Sequence, residues 1–123
     1  MDIEMTRQLP PELEALAERI VSALQKEAAN YTATGAVPKM DLAAVQFTRV
    51  IDPGNRLPGY QGVWRNARDE RCGTLTINSD NSFFAEYDLF CPHPRDASRF
   101  VEMVTAWGRG DVMRSEAKLV PTL

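Results

Sequence analysis

Apolar and polar residues alternate on both sides of a turn between Arg71 and Cys91. Leu75 and Ile77 share one side of the first run. Alternation with a period of two residues is typical of strands, and the segment between the runs, residues 78–82, consists of turn-forming residues. The stretch therefore predicts a β-hairpin. The apolar side of its second strand carries Phe83, Ala85, Tyr87 and Leu89.

The length of the hairpin loop decides whether the two apolar sets lie on one face. Directly paired residues of antiparallel strands point to the same face, and their numbers add to a constant. A three-residue loop, Asp80-Asn81-Ser82, pairs Ile77 with Ala85 and Leu75 with Tyr87. A two-residue loop would instead set Leu75 against a carboxylate. The sequence therefore predicts the longer loop, or a bulge with the same effect.

The second face of the hairpin is half polar, yet it includes Phe84 and Phe90 beside Glu86 and Asp88. Two phenylalanines on one such face indicate that something covers it. The small size of the chain favours cover by its own helix or terminus. A partner surface is the alternative.

The remaining pattern predicts an α+β fold. Residues 1–9 are expected to form a flexible arm, and residues 11–29 have helical apolar spacing after two prolines. Strands are predicted over 42–51 and 60–66, ahead of the hairpin. A second helix is predicted from Pro94, because Phe100, Val101, Val104 and Trp107 form an apolar stripe that ends before two glycines.

Residues 112–120 alternate again and predict a final strand. The expected order is thus an N-terminal helix, a four-stranded antiparallel meander, a second helix and a final strand. A length of 123 residues indicates a single domain over 1–123.

Composition narrows the function classes. The net charge is −3 at pH 7, which argues against nucleic-acid binding. The acidic N-terminus does not look like a secretion signal, and no run is apolar enough for a membrane span. A cytoplasmic protein is expected. Cys72 and Cys91 fall on opposite faces of the predicted hairpin, which argues against a direct disulfide between them.

Catalytic chemistry is poorly represented. His93 is the single histidine, and it lies between two prolines, which favours a surface loop over a general base. The histidine and cysteines lack the spacing of a zinc site, so neither a metal nor a cofactor is expected. An enzyme is therefore the less favoured interpretation. If a ligand pocket exists between sheet and helices, its candidate lining residues are Trp64, Tyr87, His93 and Trp107.

The segment from Trp64 to Asp88 resembles the YezG-like immunity proteins of bacterial toxin systems. In that family a tryptophan precedes a strand, a turn and an aromatic-acidic strand, as Trp64, Leu75-Thr76-Ile77 and residues 81–88 do here. This chain has Asn81 where the family's turn usually carries glycine. The resemblance implies a small acidic α+β domain that binds and neutralises a toxin.

These observations lead to a main hypothesis and two alternatives. The main one is a non-catalytic protein-binding domain, an immunity protein or a small chaperone, whose partner is basic where it meets the predicted contact residues. Those residues are Phe84, Glu86, Asp88 and Phe90. The first alternative is a ligand-binding or small enzymatic domain with the pocket described above. The second is a homodimer formed through an open sheet face.

Overall fold

A single α-helix lies across one face of an antiparallel sheet in the computed structural model, which describes residues 3–6 (backbone), 9–33, 35–51 and 53–122. Within these ranges the helix, α1, spans Pro11–Ala29, and a short 3-10 helix spans Leu42–Ala44. Seven strands pair in chain order, so the sheet is a continuous meander. They are β1 (Ile3–Thr6), β2 (Gln46–Ile51), β3 (Pro58–Arg65), β4 (Arg71–Ile77), β5 (Ser82–Pro92), β6 (Arg99–Arg109) and β7 (Val112–Pro121).

The first helix is confirmed at its predicted bounds. Pro10 and Pro11 set the backbone at its start, and Glu12 and Glu14 lie near the positive end of the helix dipole. Its apolar face packs on β5, β6 and β7. The buried residues of that face are Leu16, Ala17, Ile20, Val21, Leu24 and Ala28. No helix within the described residues is both long and apolar enough to cross a membrane.

The second predicted helix is wrong, and with it the arrangement of four meander strands, a second helix and a final strand. The segment that follows Pro94 turns and then forms β6, which pairs with β5 on one side and β7 on the other. A β-bulge between Val101 and Met103 shifts the alternation by one residue. Val101 and Val104 are therefore both fully buried, three positions apart, and this spacing imitates a helix.

The N-terminus also differs from expectation. Residues 3–6 of the predicted flexible arm form β1, which pairs with β2. Leu9 is buried in the core. The rest of the predicted arm, residues 1–2 and 7–8, lies outside the described residues.

The hairpin predicted between Arg71 and Cys91 forms with both apolar sets on one face, as predicted, but its strands pair in a different register. Leu75 pairs with Ala85 and Ile77 with Phe83, so both apolar sets lie on the face that α1 covers. The loop has three residues, as predicted, but it is shifted by one position to residues 79–81. The backbone N–H of Asn78 donates to the Ser82 carbonyl at 2.8 Å across this loop.

The segment before β2, residues 37–45, covers the part of this sheet face that lies over β2 and β3. The indole N–H of Trp64 donates to the Asp41 carbonyl at 3.1 Å, which ties this segment to β3. Met40 and Val45 of this segment are buried, and so is Phe47 of β2. The core therefore lies between the sheet on one side and α1 together with this segment on the other.

Gly73 on β4 provides a direct test of this packing. A Cβ at this position would lie 2.6 Å from Cδ2 of Tyr87 and 3.0 Å from Cε3 of Trp64. We expect Gly73→Ala to lower the free energy of unfolding by about 1–3 kcal/mol through overpacking, as measured by urea denaturation. Thr76→Ala, on the other face of the same strand, is the control. A loss for Gly73→Ala that is no greater than the loss for Thr76→Ala would contradict the close packing of Tyr87 and Trp64 over Gly73.

Candidate functional site

Exposed aromatic and charged side chains lie on the face of the sheet that points away from α1. Along β5, Phe83 and Ala85 are buried under α1, whereas Phe84 lies on the opposite face with 47% of its surface exposed. We call the opposite face, over β4 to β7, the open face. Its residues are Thr74, Thr76, Phe84, Glu86, Asp88, Met103, Thr105, Trp107, Arg114, Glu116 and Lys118.

Strand pairing orders the open face into rows across β5, β6 and β7. The first row is Phe84, Trp107 and Arg114, the second is Glu86, Thr105 and Glu116, and the third is Asp88, Met103 and Lys118. A shallow depression of about 520 Å³ runs along these rows. An aromatic pair thus lies one row away from a pair of carboxylates. The depression is lined by Phe84, Glu86, Met103, Thr105, Trp107, Glu116 and Lys118.

Three carboxylates, Glu86, Asp88 and Glu102, form an acidic cluster beside this depression. Burial raises the pKa of Asp88, the negative charges of Glu86 and Glu102 raise it further, and Arg71 acts in the opposite direction. The Nζ atom of Lys118 lies 3.5 Å from Oε2 of Glu102. The surroundings of Asp88 therefore disfavour its negative charge, and an added cation would offset this effect.

Phe90 lies in a β-bulge, where Leu89 and Phe90 of β5 occur opposite Glu102 of β6. It is 60% exposed and its φ is 47°. A bulky residue rarely adopts a left-handed backbone, and burial of Phe90 does not compensate for the strain. Such a residue is a candidate for contact with another molecule, although it does not line the depression that Phe84 lines.

The four predicted pocket residues do not come together. Trp64 and Tyr87 stack edge to face on the covered side of the sheet, with ring centroids 5.6 Å apart, and Trp64 is buried in the core. Trp107 lies on the other face of the sheet. His93 lies in the turn before β6, where its ring contacts Tyr31 with centroids 5.3 Å apart. The predicted pocket between sheet and helices is therefore not formed by these residues.

The side chains of His93 and of the two cysteines form hydrogen bonds within the fold. Nδ1 of His93 accepts a hydrogen bond from the backbone N–H of Arg95 at 3.0 Å. The Cys72 thiol donates to the Tyr87 hydroxyl at 3.5 Å, and neither cysteine is in a disulfide. Burial raises the pKa of the Cys91 thiol, which makes it a poorer nucleophile at neutral pH. Within the described ranges, no group of three His, Cys, Asp or Glu side chains is placed to hold a metal ion.

A bulge in β4 alters the side on which Cys72 lies. Cys72 is an extra residue in β4 where Trp64 pairs with Gly73 and Arg65 with Arg71. It packs against the core, and the Cys91 thiol donates to the Tyr31 carbonyl at 3.8 Å, just beyond α1. The predicted placement on opposite faces fails because the bulge at Cys72 interrupts the alternation of β4.

Sequence reasoning missed the part of the open face that β6 contributes. The apolar stripe predicts a helix over Met103 and Thr105, and a helix does not align them with Glu86 and Asp88 on one sheet face. One signal was present: β-branched residues occur at Val101, Val104 and Thr105, and this composition favours a strand. The pairing with β5 and β7 could not be read from that signal alone.

No family model, curated protein or solved structure matches this sequence.

The two exposed phenylalanines can be compared with a buried neighbour on the same strand. We expect Phe84→Ala and Phe90→Ala each to lower the free energy of unfolding by about 1 kcal/mol or less, because these side chains are about half exposed or more. Phe83→Ala should cost about 3–5 kcal/mol, because Phe83 is buried. Urea denaturation of the three variants measures this difference, and equal losses would place all three phenylalanines in the core.

The raised pKa of Asp88 predicts a defined pH dependence. Its folded-state pKa lies above the usual value of 3.8, so the folded chain binds the proton more tightly than the unfolded chain does. This contribution to stability is present at low pH and is lost as the pH rises through the folded-state pKa. We therefore expect Asp88→Asn to unfold at a higher urea concentration than the unmodified chain at about pH 7, with a smaller difference near pH 3.5.

Glu116→Gln is the control for this comparison, because it removes a carboxylate from the same face outside the acidic cluster. It should not reproduce the change seen with Asp88→Asn. A lower stability of Asp88→Asn at neutral pH would show that attraction to Arg71 outweighs burial and repulsion at Asp88.

Proposed function

We propose that this chain is a non-catalytic protein-binding domain that uses the open face of its sheet. The observation that carries the proposal is the position of Phe84 beside Trp107 on a face that α1 does not cover. Large aromatic side chains contribute most of the binding energy in many protein interfaces, and charged residues surround them. The open face has both features within three rows of residues.

The acidic cluster supports a basic partner. Glu86, Asp88 and Glu102 lie close enough that the two glutamates raise the pKa of Asp88. A lysine or arginine of the partner would relieve this repulsion, and the relief would add to the binding free energy. The partner surface is therefore expected to present a cation to the cluster and an apolar side chain to the depression between Phe84 and Trp107.

A protein partner fits these features better than a nucleic acid or a small substrate does. The net charge of −3 opposes a phosphate backbone. The depression is open and three of its lining side chains are charged, whereas sites for small ligands enclose most of the ligand surface. An immunity protein neutralises its toxin by protein binding, and the resemblance of the hairpin implies this form of the function. A small chaperone would use the same kind of surface.

The experiment has two stages. The immobilised chain first captures proteins from native cell extract, and each captured protein is identified and purified. Its affinity is then measured by calorimetry for the unmodified chain, for Phe84→Ala and for the double variant Glu86→Lys/Asp88→Lys. Loss of one aromatic anchor, or reversal of two charges, should weaken binding by about tenfold or more.

Glu14→Lys/Glu18→Lys is the matched control, because it makes the same charge change on the exposed side of α1. It should leave the affinity within about threefold of the unmodified value. Thermal unfolding of every variant shows that the fold is retained. Equal binding by all variants would reject the open face as the binding surface.

A further inference from the structure

The outer edge of β7 is a second surface on this chain, which adjoins the protein-binding face proposed above. Within the described residues, β7 pairs with β6 alone and ends the sheet. It is ten residues long. A strand at a sheet edge has backbone N–H and C=O groups that can pair with another strand.

The turn between β6 and β7 shows which backbone groups point outward. Arg109 pairs with Val112 across a two-residue loop. A Cβ on Gly108 would collide with the carbonyl oxygen of Val112, so this carbonyl points toward β6. Backbone direction alternates along an antiparallel strand. Even-numbered residues of β7 therefore bond to β6, and the outward groups belong to Met113, Ser115, Ala117 and Leu119.

The helix does not occupy this edge. It packs over β5, β6 and β7, on the face of the sheet rather than in its plane. The Ser115 hydroxyl of β7 donates a hydrogen bond to Oε1 of Glu27 on α1, at 2.9 Å. Ser115 nevertheless remains exposed. An added strand would extend the sheet beside β7, in the direction of these outward backbone groups.

Charges on β7 identify which strand fits there. Arg114, Glu116 and Lys118 project on the open face, so the signs along the edge alternate as positive, negative, positive. Arg114 and Glu116 form no ion pair with another described residue. Charged edge residues normally prevent pairing. An alternating pattern instead permits pairing with a strand of complementary alternation.

The pattern is complementary to itself. If two copies of β7 pair antiparallel about Ser115, each Arg114 lies opposite the Glu116 of the other copy. If they pair about Ala117, each Glu116 lies opposite the Lys118 of the other copy. Both registers give two opposite-charge pairs across the strands, which stabilise a sheet. Pairing about Glu116 would place like charges together and is disfavoured.

We propose that two copies of this chain form a symmetric dimer by antiparallel pairing of β7 with β7. The two-fold axis is perpendicular to the sheet, which then runs continuously through both copies. The dimer forms through the edge of β7, so this proposal does not depend on the partner proposed for the open face.

A charge-exchange experiment tests the dimer by sedimentation equilibrium over concentrations from about 5 to about 500 μM. Glu116→Lys makes the edge wholly positive, and Arg114→Glu/Lys118→Glu makes it wholly negative. Each variant alone should self-associate at least about tenfold more weakly than the unmodified chain. An equal mixture of the two should form a heterodimer, and the triple exchange of all three charges should restore the homodimer.

Ala117→Pro separates edge pairing from stacking of the open faces. It removes one outward N–H and leaves the bonds to β6 intact, as proline on an edge strand allows. It should weaken the dimer, whereas Phe84→Ala should not. Circular dichroism confirms the fold of each variant. A monomeric unmodified chain, two charge variants that fail to associate when mixed, or a dimer that survives Ala117→Pro would each overturn the proposal.

Discussion

The width of the sheet relative to one helix determines most of this structure. Strands lie about 4.8 Å apart, so seven of them span roughly 29 Å, whereas a helix with its side chains is about 10 Å wide. One helix can therefore cover about three strands, and α1 packs on β5, β6 and β7. The segment before β2, anchored by the bond from Trp64 to Asp41, covers the remainder of that face. No further helix is left in the described chain to cover the opposite face.

Strand register then decides which side chains remain uncovered. A slip of one residue between β4 and β5 would exchange the buried set of Phe83 and Ala85 for Phe84 and Glu86. The cost of burying Glu86 and Asp88 far exceeds any gain from burying Phe84, so the observed register is strongly preferred. The open face is thus a consequence of core formation, and Phe84 remains exposed because the carboxylates on the same strand cannot be buried.

The sequence predicted local features well and non-local ones poorly. Short-range periodicity predicts the helix over 11–29 and the placement of both apolar sets on one face of the hairpin. The register of the hairpin does not follow from this periodicity, because it depends on the ring of Tyr87 lying over Gly73 and against Trp64, on three different strands. The sequence predicts a helix over the region of Phe100 to Trp107 because a bulge alters its alternation. Bulges leave no distinct mark in the sequence, and the bulge in β4 also moves Cys72 to the core side of the sheet.

The two proposed surfaces are compatible with one assembly. A two-fold axis perpendicular to the sheet leaves both open faces pointing to the same side of the dimer. Arg114, Glu116 and Lys118 belong to the margin of the open face and to the edge of β7, so pairing would neutralise charges that flank the depression. Glu86 and Asp88 of the acidic cluster are on β5, two strands away from β7, and stay accessible. A dimer would therefore present two binding sites side by side, and a partner with two basic contacts would gain affinity from the second one without any new contact type.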